Sequence, residues 1–188
     1  RIILTMVEYG AVGIDAQTGQ MLWRYAHKNK YAVHAATPVY DKGKVFISSG
    51  YGYGSEFLEM AAQGNAVRPL WQQKGLDNHH GGIILLDGFA YGTNDRGLVC
   101  IDLKTGRIAS ETKGVGKGSL VLADGQLYAY GERGTMGLIR PDPRGSELVS
   151  SFSVQEGKGP HWAHPVVANG ILYIRHGDVL MAYDVNGI

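Results

Sequence analysis

Apolar positions in this chain come in short bursts that alternate with polar ones, and most bursts end at a glycine. Runs of this length, rich in Val, Ile, Leu and Tyr, predict β-strands rather than helices. One unit recurs four times: an apolar run, a turn dipeptide, and a second apolar run that holds Tyr or Phe. Its copies are Pro38-Val-Tyr-Asp-Lys-Gly-Lys-Val-Phe-Ile47, Ile83-Ile-Leu-Leu-Asp-Gly-Phe-Ala-Tyr-Gly92, Leu120-Val-Leu-Ala-Asp-Gly-Gln-Leu-Tyr-Ala129 and Pro165-Val-Val-Ala-Asn-Gly-Ile-Leu-Tyr-Ile174. The turn glycines Gly43, Gly88, Gly125 and Gly170 lie 45, 37 and 45 residues apart. Asp-Gly and Asn-Gly supply the two positive backbone angles of a two-residue turn, so each copy predicts a tight hairpin.

A second unit alternates with the first. Its full form is Ile14-Asp-Ala-Gln-Thr-Gly-Gln-Met-Leu-Trp23, and a partial form is Ile101-Asp-Leu-Lys-Thr-Gly-Arg-Ile-Ala-Ser110, with Ser in place of Trp. Met60-Ala-Ala-Gln-Gly-Asn-Ala-Val-Arg-Pro-Leu-Trp71 carries a longer turn, and weaker echoes start at Arg140 and Tyr183. This unit also reads as strand, turn, strand. Asp15 and Asp102 are placed to accept N–H groups of the turn, Thr18 and Thr105 follow, and Gly19 and Gly106 take the left-handed angle. Trp23 and Trp71 then offer large apolar wedges between neighbouring sheets.

Two hairpins in each 40–45 residues make a four-stranded repeat, which is the pattern of a β-propeller blade. With strands lettered A to D outward from the axis, residues 1–32 hold B, C and D of one blade. Residues 33–76, 77–117 and 118–159 hold three full blades, and residues 160–188 hold A, B and C of a fifth. A closed four-bladed ring does not accommodate that tally. The chain is therefore expected to be a single all-β unit over 1–188, an incomplete ring from a propeller of seven or eight blades. The segment Glu56-Phe-Leu-Glu-Met-Ala-Ala62 contains good helix formers, but its place in the repeat makes it strand C.

Composition narrows the function classes. Of 188 residues 28 are glycine, 44% are hydrophobic, and 18 basic residues against 17 acidic ones leave a net charge of +1. Apolar content of this order argues against disorder, and the glycines lack a collagen period. The near-zero charge argues against nucleic-acid binding through a general positive field. No apolar run reaches the ~18 residues of a membrane span. The first residues, Arg1-Ile-Ile-Leu-Thr-Met-Val7, do not resemble a signal peptide, and the chain reads as a piece of a longer protein. The single cysteine, Cys100, sits among alternating apolar residues and is expected to be buried.

Histidine carries the main chemical signal. His34, His79 and His161 each stand nine residues before their hairpin glycine, while the fourth blade, whose hairpin glycine is Gly125, has Gly116 there. His80, His164 and Trp162 are close by. Strand A lines the axis of a propeller, so these residues are expected to form an arc at one mouth of the channel. Two readings follow. Neutral imidazoles on adjacent strands can contact a small ligand or share a metal ion. Alternatively the histidines repeat because the blades were duplicated, and they bind loops and water. No metal ligand set is assigned. Asn94-Asp95-Arg96-Gly97 offers oxygens to a cation but has turn chemistry throughout. Gly114-Val-Gly-Lys-Gly-Ser119 lacks the spacing and the helix of a phosphate loop.

The Asp-x-x-Thr-Gly-x-x-x-Trp unit resembles the tryptophan-docking motif of the quinoprotein alcohol dehydrogenase-like, or PQQ-like, β-propellers, with Gly13 where that motif usually has Ala. Asn78-His-His-Gly-Gly-Ile-Ile-Leu and Ala163-His-Pro-Val-Val-Ala-Asn-Gly-Ile-Leu-Tyr-Ile-Arg175 are similar to the same bacterial repeat proteins. The resemblance implies the C-terminal part of a protein about twice as long, located in the periplasm or secreted. It implies a binding or scaffold module for a small ligand, a glycan or a protein, with the remaining blades of the parent ring as one partner. An alternative it implies is a dehydrogenase of alcohols or sugars that uses pyrroloquinoline quinone and calcium. Another is the scaffold of an envelope complex of the barrel-assembly type. No cofactor is assigned, and no residue of this chain matches the catalytic motifs of the quinone enzymes.

Overall fold

The computed structural model describes residues 1–187. They form eighteen strands and no helix. The strands are β1 (Ile2–Val7), β2 (Gly10–Asp15) and β3 (Met21–Ala26), then β4 (Val39–Asp41), β5 (Lys44–Ser49), β6 (Gly54–Met60) and β7 (Val67–Gln73). Next come β8 (Ile84–Leu86), β9 (Phe89–Asn94), β10 (Gly97–Asp102) and β11 (Ile108–Thr112). They are followed by β12 (Gly118–Ala123), β13 (Gln126–Gly131), β14 (Thr135–Arg140) and β15 (Glu147–Ser153). The last three are β16 (Val166–Ala168), β17 (Ile171–His176) and β18 (Val179–Asp184). Within each sheet every strand pairs antiparallel with the next, giving five meandering sheets: two of three strands at the ends and three of four between them. The ring they begin is not closed.

The hairpin turns adopt the geometry that their dipeptides demand. Asp87-Gly88 has φ values of 49° and 84°, Asp124-Gly125 has 49° and 74°, and Asn169-Gly170 has 52° and 72°. Lys42-Gly43 does the same at 45° and 80°, although Lys carries no polar group suited to the left-handed region. At the Thr-Gly turns, Asp15 Oδ1 accepts the N–H groups of Gln17 and Thr18 at 2.9 and 2.8 Å. Asp102 Oδ1 accepts those of Lys104 and Thr105 at 2.8 and 3.0 Å. These backbone bonds, with the Thr18 hydroxyl, hold the Asp15 carboxyl below its ordinary range.

Both faces of the middle sheets are buried, so side chains of alternate parity serve different interfaces. Val45 and Ile47 of β5 pack with Ala11 and Trp23 of the first sheet, while Phe46 between them packs with Ile83, Ala90 and Val99 of the third. Ala90 of β9 faces the second sheet, whereas Tyr91 and Cys100 face Leu120 and Leu127 of the fourth. Leu127 and Ala129 look one way, and Tyr128 and Tyr130 look the other, toward Leu172 and Ile174 of the fifth sheet. Four apolar seams thus join five sheets in sequence order. Cys100 is 1% exposed, and burial pushes its thiol above the ordinary value. The segment rich in helix formers is β6, where Phe57 and Leu58 are buried in opposite seams.

The innermost strands come close to one another: β4 meets β8, β8 meets β12, and β12 meets β16. They mark the axial side. Strand ends therefore divide into two faces. One carries the turns at 42–43, 87–88, 124–125 and 169–170. The other carries the connections between sheets, residues 27–38, 74–83, 113–117 and 154–165, with the β1–β2, β5–β6, β9–β10, β13–β14 and β17–β18 turns.

Candidate functional site

All seven histidines of the chain lie on the face that bears the inter-sheet connections. Their repeated positions do one job at three stations. His34 Nε2 lies 3.2 Å from Glu8 O, in the turn of the first sheet. His79 Nε2 accepts the Tyr51 N–H at 3.4 Å, and its ring fills the space left by Gly50 in the turn of the second sheet. His161 packs over Gly134, in the turn of the fourth sheet, and its Nδ1 lies 2.5 Å from the Tyr130 hydroxyl. Each of the three clamps the connection it sits on to the turn of the sheet just completed. They do not converge. Among the described residues no three His, Cys, Asp or Glu side chains gather as a metal ion requires.

His80 and His164 do meet. His164 Nε2 donates to His80 O at 2.9 Å, joining connections 84 residues apart. The His80 ring stands 5.9 Å from that of Trp162, which is 59% exposed. His80 Nε2 also reaches Glu132 Oε1 at 2.6 Å, and Lys117 Nζ reaches Glu132 Oε2 at 3.1 Å. Burial raises the Glu132 carboxyl, but the bonds from His80 and Lys117 outweigh it, and the net position is below the ordinary value. This clasp ties the third sheet to the fourth.

Two further histidines were not signalled by the repeat. His27, fully buried, places Nδ1 2.5 Å from Glu56 Oε2 and Nε2 3.0 Å from Ser49 Oγ. The Tyr25 hydroxyl donates to Glu56 Oε1 at 2.9 Å, and burial with this carboxylate pushes the phenol well up. Carboxylate, imidazole and hydroxyl stand in the order of a hydrolytic triad. Ser49 is 0% exposed, however, so no substrate reaches its oxygen, and the group is a polar lock between the first two sheets. His27 lies at no repeated position. The available signal was Glu56, an acid on a strand whose first five residues are buried, where a charge needs a partner. His176 stacks on His161 with ring centroids 3.7 Å apart, and both its nitrogens face carbonyl oxygens, of Glu156 and Gly159, at 2.7 Å.

Around the first two sheets the same face exposes a row of rings. Tyr31 meets Tyr51 edge-on at 4.8 Å, Tyr51 meets His79 at 4.5 Å, and Lys28 lies over Tyr9. Tyr9, Tyr31, Val33 and Tyr51 are each at least 40% exposed.

The Trp-docking residues lie along the outer side of the sheets. Trp71 packs against Phe46 and Phe57, and its Nε1 donates to Leu103 O of the next sheet at 2.9 Å. Gly106, at φ +71°, lies against the indole, and a Cβ there would come within 2.7 Å of it. Gln73 Nε2 adds a bond to Gly106 O at 3.0 Å. Trp23 is 7% exposed and lies over Gly13, where a larger residue has no room. Its Nε1 is buried without a partner.

Comparison with known proteins fits this architecture. The family model described as outer membrane protein assembly factor BamB matches residues 2–112. The chain belongs to the BamB family. Among solved structures, BamB from Moraxella catarrhalis superposes with a TM-score of 0.56 at 16% identity, over 96% of this chain and 68% of that one. A computationally designed protein, Ika8, superposes with a TM-score of 0.69 at 12% identity, over 98% of this chain and 55% of that one. The chain thus spans about half to two thirds of the length of these structures. No curated protein matches it. At these identities the structures share the fold, and the BamB-like propeller is all that they establish.

The Asn94-Asp95 pair of this BamB-family chain does not form the calcium cage of the dehydrogenase alternative. Asn94, one of the two candidate calcium ligands, uses Oδ1 to accept the N–H groups of Arg96 and Gly97, and Nδ2 to donate to Gly75 O. Its neighbour Asp95 faces Lys117 Nζ at 3.5 Å. Both are engaged in turn and ion-pair chemistry rather than arranged as an oxygen cage.

Proposed function

We propose that this protein is a periplasmic scaffold that docks a protein partner in outer-membrane assembly, through the face bearing the histidine connections. Membership of the BamB family supports the assembly context. The observation that supports the face is its exposed rings, Tyr9, Tyr31, Tyr51 and Trp162, with the half-buried His79 beside Tyr51. Exposed aromatic residues are the side chains that most often anchor protein interfaces, because they bury large area for little lost rotamer freedom. The histidine clamps hold this face rigid and so lower the entropy cost of docking. The opposite face presents short hairpin turns and carries no histidine.

Photo-crosslinking residues placed at Tyr31, Tyr51 and Trp162 in the intact parent protein test this reading in cells. One defined envelope protein is expected to crosslink from all three positions and not from Tyr40 or Leu70, which lie off that face. Equal yield from the control positions, or none from the face, would overturn it. Purified partner should then bind at least ten-fold more weakly to the Tyr31→Ala/Tyr51→Ala variant, the effect of losing two interface anchors.

A further inference from the structure

The break in the histidine repeat coincides with a hollow. Three of the four connections between sheets are long excursions that rise over the preceding turn; the one over residues 113–117 is short and runs directly into β12. Gly116 stands where the other copies have histidine, and nothing lies within 4 Å of where its Cβ would be. Beside it, between the second turns of the third and fourth sheets, is a cavity of about 660 Å³. Its charged lining is Asp95, Arg96, Lys117, Glu132 and Arg133. Lys117 bridges Asp95 and Glu132, and His80 takes the other oxygen of Glu132, so both acids already have partners within the wall. Among the described residues, Arg96 and Arg133 make no ion pair. Two guanidinium groups thus line one polar hollow with no anion assigned to them.

We infer that this hollow binds a small oxyanion-bearing ligand, a carboxylate or a phosphate ester, clamped between Arg96 and Arg133. A guanidinium presents paired N–H donors that match two oxygens of one such group, and two of them can hold it from both sides. The Gly116 segment lets a ligand approach the backbone where the other connections would block it. The volume suits a small molecule rather than a polymer. The hollow lies on the same face as the docking rings, but its two arginines are not among them, and the inference does not depend on the scaffold reading.

The test is a titration of the ¹⁵N-labelled intact parent protein with inorganic phosphate, and separately with succinate, in chloride buffer. Saturable shifts are expected at Gly114, Gly116 and Gly118 and in residues 132–135. Arg96→Ala and Arg133→Ala should each weaken binding about ten-fold, the usual loss of a charge-assisted pair, and together abolish it. Arg144→Ala, which removes a cation already paired with Asp142, should change nothing. Gly116→Asn tolerates the left-handed backbone and projects a side chain into the open space at Gly116, so it should keep the melting temperature and weaken binding. The tighter of phosphate and succinate identifies the source of the oxyanion. Shifts that fail to saturate, or that persist in the double arginine variant, would overturn the site.

Discussion

Trp71 shows how one side chain joins two sheets. Its ring packs on Phe46 and Phe57, its N–H reaches Leu103 O, and the turn glycine of the next sheet lies against its face. Trp71→Ala removes all three contacts and should lower unfolding free energy by about 3 kcal/mol, read from urea denaturation. Gly106→Ala tests the same contact from the other side. It should cost more than about 1 kcal/mol, because Ala is strained at φ +71° and its methyl meets the indole. In the sequence, Trp71 ends the longer-turn copy of the Trp-docking unit. The lock at His27 was not legible, since Glu56 announced a need for a partner but nothing in the linear chain pointed to a residue 29 positions away. Removing one member of a buried pair leaves the other uncompensated. His27→Ala should therefore cost about 3 kcal/mol, and the His27→Ala/Glu56→Gln double variant should cost less than the sum of the singles. A double-mutant cycle in urea measures that coupling.

At the level of the elements, the connections between sheets carry the pH response. Burial, and then the neighbouring His27, pull His34 below its ordinary value; burial, and then His176, do the same to His161. A histidine with a depressed folded value binds its proton more weakly in the fold than in the unfolded chain. Its contribution is present above about 6.5 and is lost as pH falls through the folded value. Stability should therefore decline from neutral pH downward, and His34→Gln/His161→Gln should flatten that limb in denaturation curves taken across it. Glu132 adds a second, more acid limb. Its folded value is depressed, so the clasp to His80 and Lys117 holds above about 4.5 and is lost as pH falls through the folded value. Glu132→Gln should shrink that limb and leave the histidine limb unchanged. Sequence spacing placed three histidines at equivalent points. It did not show that each grips a turn, because the turn residues at Glu8, Tyr51 and Tyr130–Gly134 share no motif.

Taken whole, the molecule is a stack whose stability rests on four seams between neighbours. Its first and last sheets present apolar side chains outward, with Ile3 51%, Val166 53% and Leu180 68% exposed. In isolation the chain is expected to associate as its concentration rises, and Leu180→Lys with Ile3→Lys should shift sedimentation toward the monomer. The sequence by itself determined the strands, their turns and their grouping into sheets. Those features depend on period-two alternation and on local backbone angles, and both are written into neighbouring residues. Tertiary structure alone decided which polar groups meet: the His27 lock, the His80–Glu132 clasp and the hollow at Gly116. Such contacts join residues tens of positions apart, and their geometry exists only once the sheets have stacked and the apolar seams have set their spacing.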